Sequence, residues 1–138
     1  MASADSTTTR TPSQRAGDAA EDAVAARLVA RGWVVLGRRV RAGRSELDLV
    51  AVDPGPPGAL VVAEVRWRRS RAFGLPEETV DRRKLSHLRA GVGRLVEAGR
   101  LPDGRRLPDL PVRLDLVVVE PPAAPGLPVR VRHHRGIG

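Results

Sequence analysis

A chain of 138 residues with no cysteine and a formal net charge of +8 has room for one modest core, and it cannot make disulfides, thiolate-bound zinc or iron–sulfur clusters. Its only aromatics, Trp33, Trp67 and Phe73, are too few for the base-stacking sheets of RNA-recognition-motif or OB type. No stretch approaches the roughly 20 apolar residues of a membrane span, so a cytoplasmic protein with no membrane partner is expected, and the basic charge makes nucleic acid the first partner to consider.

Residues 1–16 are polar and lack periodicity, which predicts a disordered tail ahead of a single domain over 17–138. From 17 to 31, Ala20, Val24 and Leu28 recur every four residues and Gly32 stands where a helix stops. Glu21 borders the face this helix would bury; as a first-turn acid it is also favoured by the helix dipole. A first strand is expected over 33–36, and Arg38, Arg39, Arg41 and Arg44 crowd the link that follows.

Next come two runs rich in Val and Leu, 46–53 and 59–67, separated by Pro54-Gly55-Pro56-Pro57-Gly58, which only a loop accommodates. So short a connection makes the strands antiparallel neighbours. With Asp53 facing Ala59, the register sets Asp48 opposite Glu64 and Glu46 opposite Arg66. Period-two alternation puts these four charges on one face, with Leu47, Leu49, Val61, Ala63 and Val65 on the other. Two carboxylates this close among apolar flanks do not both stay ionised unless a cation joins them. A raised pKa, an arginine partner or a divalent ion would answer, and Mg²⁺ suits one or two carboxylates completed by water and phosphate. The plainer alternative is a structural ion pair between Glu46 and Arg66 beside a solvated Asp48.

The run from Arg66 through Arg68, Arg69 and Arg71 to Phe73-Gly74 is a basic loop suited to phosphate contacts. A second helix is expected from near Thr79 to before Gly99, with Leu85, Leu88, Val92, Leu95 and Val96 as its stripe and Gly91 and Gly93 weakening it. Lys84, the one lysine among 24 basic residues, flanks that stripe and would lean towards the sheet. A strand over 112–119 is apolar enough to be central, with Asp115 its odd residue, and a short strand is expected over 129–132. His133 and His134, adjacent on an extended chain, point oppositely and read as a solvated terminal pair rather than metal ligands.

This order of helix, strand, charged hairpin, helix, strand, strand resembles the PD-(D/E)XK, or restriction-endonuclease-like, core, with Asp48 as its first acid, Glu64 as the second and Arg66 where lysine is usual. More closely, the chain resembles the YraN-like family of small uncharacterised bacterial proteins. The resemblance is carried by Gly17-x-x-Ala20-Glu21 with Leu28 and Gly32, by Ser45-Glu46-Leu47-Asp48-Leu49-Val50 and by Ala63-Glu64-Val65-Arg66. Arg68, Phe73-Gly74, Lys84 and Arg113-Leu114-Asp115 also fall on family positions. Ser45 stands for a usual Gly and Val24 for a usual Ala. Arg66 matters more, because an arginine stays protonated and stabilises charge without activating water as a lysine can.

The resemblance implies an α/β fold, a central mixed sheet flanked by two main helices, and a metal-dependent endonuclease-like protein. In that reading Mg²⁺ or Mn²⁺ is held by Asp48 and Glu64, with Glu21 joining through water, while Arg66 and Lys84 neutralise the transition state. Glu46 and Asp115 support the site, and Arg41, Arg44, Arg68, Arg69 and Arg71 meet nucleic acid, DNA ahead of RNA. A non-catalytic nucleic-acid-binding module and a protein-interaction adaptor are the alternatives; the oligomeric state, a homodimer included, is left open.

Overall fold

The first helix is set by local signals at both ends. In the computed structural model, which describes residues 9–68 and 82–137, α1 spans Pro12–Ala30 and opens on a capping box: Thr11 accepts from the Gln14 backbone while the Gln14 side chain accepts from the Thr11 backbone. Pro12 at the first helical position is pre-set for the turn and has no N–H to leave unpaired. The expected tail is therefore too long: residues 12–16 are helical, and the polar stretch there carries the N-terminal cap. At the other end Gly32, with φ +86°, lets Gly32 N–H reach Val29 O and Trp33 N–H reach Leu28 O, both at 3.0 Å, a Schellman closure that seats Trp33 on the core beside Leu28.

Five strands follow in a single sheet of order β1-β2-β3-β4-β5. They are β1 (Val34–Ala42), β2 (Ser45–Asp53), β3 (Ala59–Trp67), β4 (Val112–Glu120) and β5 (Arg130–His134), with α2 (Arg82–Ala98) between β3 and β4. The β3–β4 pair is parallel and the other three are antiparallel. β1 runs six residues past the expected strand, so the arginines read as a link are mostly strand. The link proper is Gly43-Arg44, a two-residue hairpin turn between Ala42 and Ser45 that Gly43 fits with φ +63°. β5 likewise continues to His134, two residues beyond the expected end.

The β2–β3 register is the expected one from Asp53↔Ala59 to Leu49↔Ala63. The ladder ends there, and instead of continuing to Glu46↔Arg66, Asp48 Oδ2 accepts the Val65 N–H at 2.9 Å. Both sheet faces are covered. Leu49, Ala51, Val61, Ala63, Val117 and Val119 meet α1 through Ala20, Val24 and Leu28, whereas Leu47, Val50, Leu60, Val62 and Leu114 meet α2 through Leu88 and Leu95. Leu47 thus lies on the opposite side from Leu49, correcting the expected shared face. Alternation is interrupted around Asp48, across from which Arg39 has φ +50°. This mixed sheet between two helices is a restriction-endonuclease-like α/β core.

Gly91, a weak helix former, is what allows α2 to touch the sheet. A Cβ there would sit 2.9 Å from Ser45 Cβ and 3.2 Å from Leu47 Cδ2, so the helix crosses β2 at a distance only glycine permits.

Candidate functional site

Asp48 lies near the start of β2 and Glu64 in the second half of β3, beside the carboxyl ends of the parallel pair β3 and β4. In open α/β sheets the crevice for ligands forms outside those ends. Asp48 is half-buried and Glu64 buried, at 7% exposure. Burial, and next the Glu64 carboxylate alongside, push the Asp48 pKa up to about 7 against the pull of the Val65 N–H; Glu21 adds a further repulsion. The two acids therefore converge, and at neutral pH Asp48 is poised between its two protonation states.

Two cations face them from different elements. Arg66 Nε approaches Glu64 Oε2 at 3.2 Å, yet that buried nitrogen has no aligned hydrogen-bond partner. Lys84 Nζ, from the first turn of α2, is 3.5 Å from the same oxygen. The expectation that Lys84 leans to the sheet is met. Glu46 is exposed and paired in the ladder with Arg41, and among the described residues it forms no ion pair with Arg66. The ion pair of Arg66 is with Glu64.

Glu21 is near enough for its charge to bear on Asp48 but is engaged elsewhere: Arg39 Nε donates to Glu21 Oε1 at 3.2 Å and Arg38 lies 3.8 Å away. Arg39 also meets Asp18, and Arg38 meets Asp22 at 2.6 Å. Among the described residues no three acids, histidines or cysteines gather as a metal cage. A divalent ion here would thus rest on two carboxylates plus water and phosphate, a mode that suits Mg²⁺. The fit is good in one respect: a repelling, desolvated carboxylate pair beside an unaligned Arg66 Nε is an arrangement that a small hard cation relieves.

Of the residues expected at a basic rim, Arg41 and Arg44 are exposed at the β1–β2 turn on the Asp48 side. Arg68 is tied to the strand end, donating through Nη1 to Trp67 O and through its backbone to Val119 O. Arg69 and Arg71 lie outside the described residues, as does the expected start of the second helix near Thr79.

Asp115 does not support this site. It is fully buried and accepts from Arg113 Nε at 2.8 Å, from the Gly136 backbone at 3.0 Å and contacts His133 Nε2 at 2.8 Å. These partners outweigh burial and hold its pKa down to about 2. Arg113 bridges onward to Asp53 at 3.0 Å. His133 is consequently a half-buried partner of Asp115 and of the Trp33 ring, 5.6 Å away, rather than a solvated terminal residue. The signal in the sequence was alternation on β4, which sends Asp115 to the α1 side with Val117, away from Glu64. A residue that spacing did not single out, His87, sits one turn beyond Lys84 on α2 with Nε2 3.4 Å from Ser45 Oγ.

The profile of the Uncharacterised protein family UPF0102 matches residues 20–119. A UPF0102 protein of Symbiobacterium thermophilum is 39% identical over 109 residues, 79% of this chain and 85% of that protein. One of Deinococcus radiodurans is 38% identical over 112 residues, 80% and 84%, and one of an Arthrobacter species is 37% identical over 122 residues, 88% and 94%. The stretch so matched includes Glu21, Asp48, Glu64, Arg66 and Lys84, and the chain belongs to the UPF0102 family, which is the YraN-like family.

Proposed function

We propose that this protein is a metal-dependent nuclease-like protein that hydrolyses phosphodiester bonds in nucleic acid, DNA ahead of RNA because three aromatics offer little for stacking splayed bases. The observation that supports this most is the convergence of Asp48 and Glu64 from neighbouring strands, where burial first and the Glu64 carboxylate next push the Asp48 pKa up to about 7. Asp48 and Glu64 would hold Mg²⁺ or Mn²⁺, with Glu21 reaching it through water after leaving Arg39. The ion, when bound, supplies Lewis-acid polarisation of the phosphate and a water of lowered pKa. Lys84 and Arg66, already aimed at Glu64, offset the charge that grows on the phosphate oxygens. Arg66 cannot deprotonate water, so the chain's own groups stabilise charge and any base must be a carboxylate or a solvent molecule.

Cleavage of branched, single-stranded and duplex DNA with Mg²⁺ or Mn²⁺, wild type against Asp48→Ala, tests this directly. Loss of cleavage in the variant is expected, and equal residual cleavage in both proteins ends the catalytic reading.

A second reading, a binding module without catalysis, draws on Arg66 in place of lysine and on Glu64 already being met by two cations. It differs in one outcome: wild type and Asp48→Ala bind nucleic acid alike and neither cleaves it when metal is added.

A further inference from the structure

A second concavity lies at the other end of the sheet. β3 begins at Ala59 and β4 at Val112, about 17 Å along β3 from Glu64 at 3.3 Å per residue. There a cavity of about 570 Å³ is lined by Arg31, Arg113 and Arg135, by Asp53 and Trp33, and by the turn at residues 54–58 with Pro111 behind it. The volume falls within the roughly 300–1,000 Å³ of small-molecule sites. Nothing in the nuclease reading uses it.

Its charge is unbalanced. Three guanidiniums from three elements converge: Arg31 caps α1, Arg113 is on β4 and Arg135 follows β5. Arg113 is locked in place between Asp53 at 3.0 Å and Asp115 at 2.8 Å. Asp53, buried and holding the Gly55 N–H as well, is left to share its second interaction with Arg135 at 3.7 Å. Arg135 has 56% of its side chain exposed and lies over the Trp33 ring, 5.7 Å from its centre, so ring and carboxylate fix its position while donors remain for a ligand. Arg31 is exposed on the same wall, where it also offsets the negative end of α1. Two buried carboxylates set against three arginines leave positive charge facing the cavity.

The rest of the lining is different in kind. Pro54, Pro56, Pro57 and Pro111 offer no N–H donors and a stiff apolar surface. A site lined both by guanidiniums and by prolines selects an anion with an organic body, not a bare ion. The Trp33 ring is already covered by Arg113, Arg135 and His133, so that body rests on the prolines.

From this juxtaposition we infer that the cavity is a binding site for an organic phosphate of mononucleotide size, its phosphate on Arg31 and Arg135 and its body against the proline turn. The source is either a free nucleotide or the 5′-phosphorylated end of a strand, and the inference stands whether or not Asp48 and Glu64 catalyse.

Calorimetric titration of the full chain in EDTA, which keeps metal-bridged phosphate away from the carboxylate pair, separates the outcomes. Adenosine 5′-monophosphate is expected to bind saturably and more tightly than inorganic phosphate, with adenosine failing to bind. The double variant Arg31→Ala/Arg135→Ala, changed only at exposed side chains, should weaken binding about tenfold or more, the loss of charge-assisted hydrogen bonds. Arg135→Lys should recover part of the loss. A 5′-phosphorylated oligonucleotide that displaces the monophosphate where its 5′-hydroxyl counterpart does not assigns the pocket to strand ends; displacement by neither assigns it to free nucleotides. Binding unchanged in the double variant, no binding by the monophosphate, or binding no tighter than inorganic phosphate each overturns the inference.

Discussion

Asp48 is a carboxyl group whose charge the fold resists. Its pKa of about 7, raised first by burial and then by Glu64, lies above the 3.8 of an unfolded aspartate, so the folded state holds a proton that the unfolded state releases. Stability from this source is complete below about pH 4, declines as pH rises towards 7, and is gone above it. Asp48→Asn, which cannot ionise, should therefore raise the melting temperature at pH 8, by roughly 5 °C on the scale of a domain this size, and by clearly less at pH 5. Mg²⁺ should raise the melting temperature of the wild type at pH 8 and leave Asp48→Asn unmoved, because a divalent ion relieves the same repulsion that the amide abolishes. Equal shifts at both pH values in thermal scans would mean that Asp48 ionises freely. That this acid and Glu64 lie near each other was legible from loop length and the register it sets, although the ladder stops one residue short of pairing them. Asp115 stands out in the sequence, and the resemblance gives it a supporting place at the acid pair that the structure does not show, since its partners Arg113, His133 and Gly136 come together only when β4 and β5 pair.

At the scale of elements, the contact of α2 with β2 rests on two glycines of opposite meaning. Both lie inside the helix, where glycine costs about 1 kcal/mol relative to alanine. Gly91 meets Ser45 at a distance no Cβ tolerates, while Gly93 has nothing within 4 Å. Gly91→Ala should destabilise by about 1–3 kcal/mol, the cost of overpacking against a strand that cannot retreat, and Gly93→Ala should stabilise by up to about 1 kcal/mol. Denaturant midpoints measure both, and Ser45→Gly should rescue Gly91→Ala but not alter Gly93→Ala; two glycine variants shifting alike would refute the close approach. From sequence both glycines read as weaknesses, because one-dimensional propensity is blind to what lies across a groove. The hairpin β2–β3 was readable from Asp53↔Ala59 to Leu49↔Ala63, its loop being punctuated by proline, but period two fails at Asp48 and puts Leu47 on the other face. β1 was not, since its arginines resemble a loop until Asp18, Glu21 and Asp22 on α1 are seen to pair with them. The start of α1 was announced by Thr11, Pro12 and Gln14, and composition obscured it.

Across the whole molecule, arginine is partitioned between holding the fold and facing solvent. Arg38, Arg39 and Arg113 are spent on α1 and on the Asp53–Asp115 network, so the net charge of +8 overstates what a polyanion meets. Arg41 and Arg44 remain exposed at the hairpin turn, at the end of the sheet that carries the acid pair. In the proposed reading they contact phosphates flanking the bond at Asp48 and Glu64. Each phosphate neutralised releases condensed counterion, so the logarithm of the binding constant falls with the logarithm of salt at about 0.9 per contact on duplex DNA. Fluorescence anisotropy with a labelled duplex, in EDTA between 50 and 200 mM salt (about the range over which several contacts lose orders of magnitude in affinity), should give a steep slope for the wild type. Arg41→Ala and Arg44→Ala should each lower it by about 1, while Glu46→Gln, which removes a carboxylate opposite Arg41 in the ladder, should tighten binding. Catalysis and mere binding share this outcome, so it isolates the surface from the chemistry. A slope near zero, or one that neither arginine changes, would place the nucleic acid on some other face and leave the acid pair without a neighbouring phosphate track.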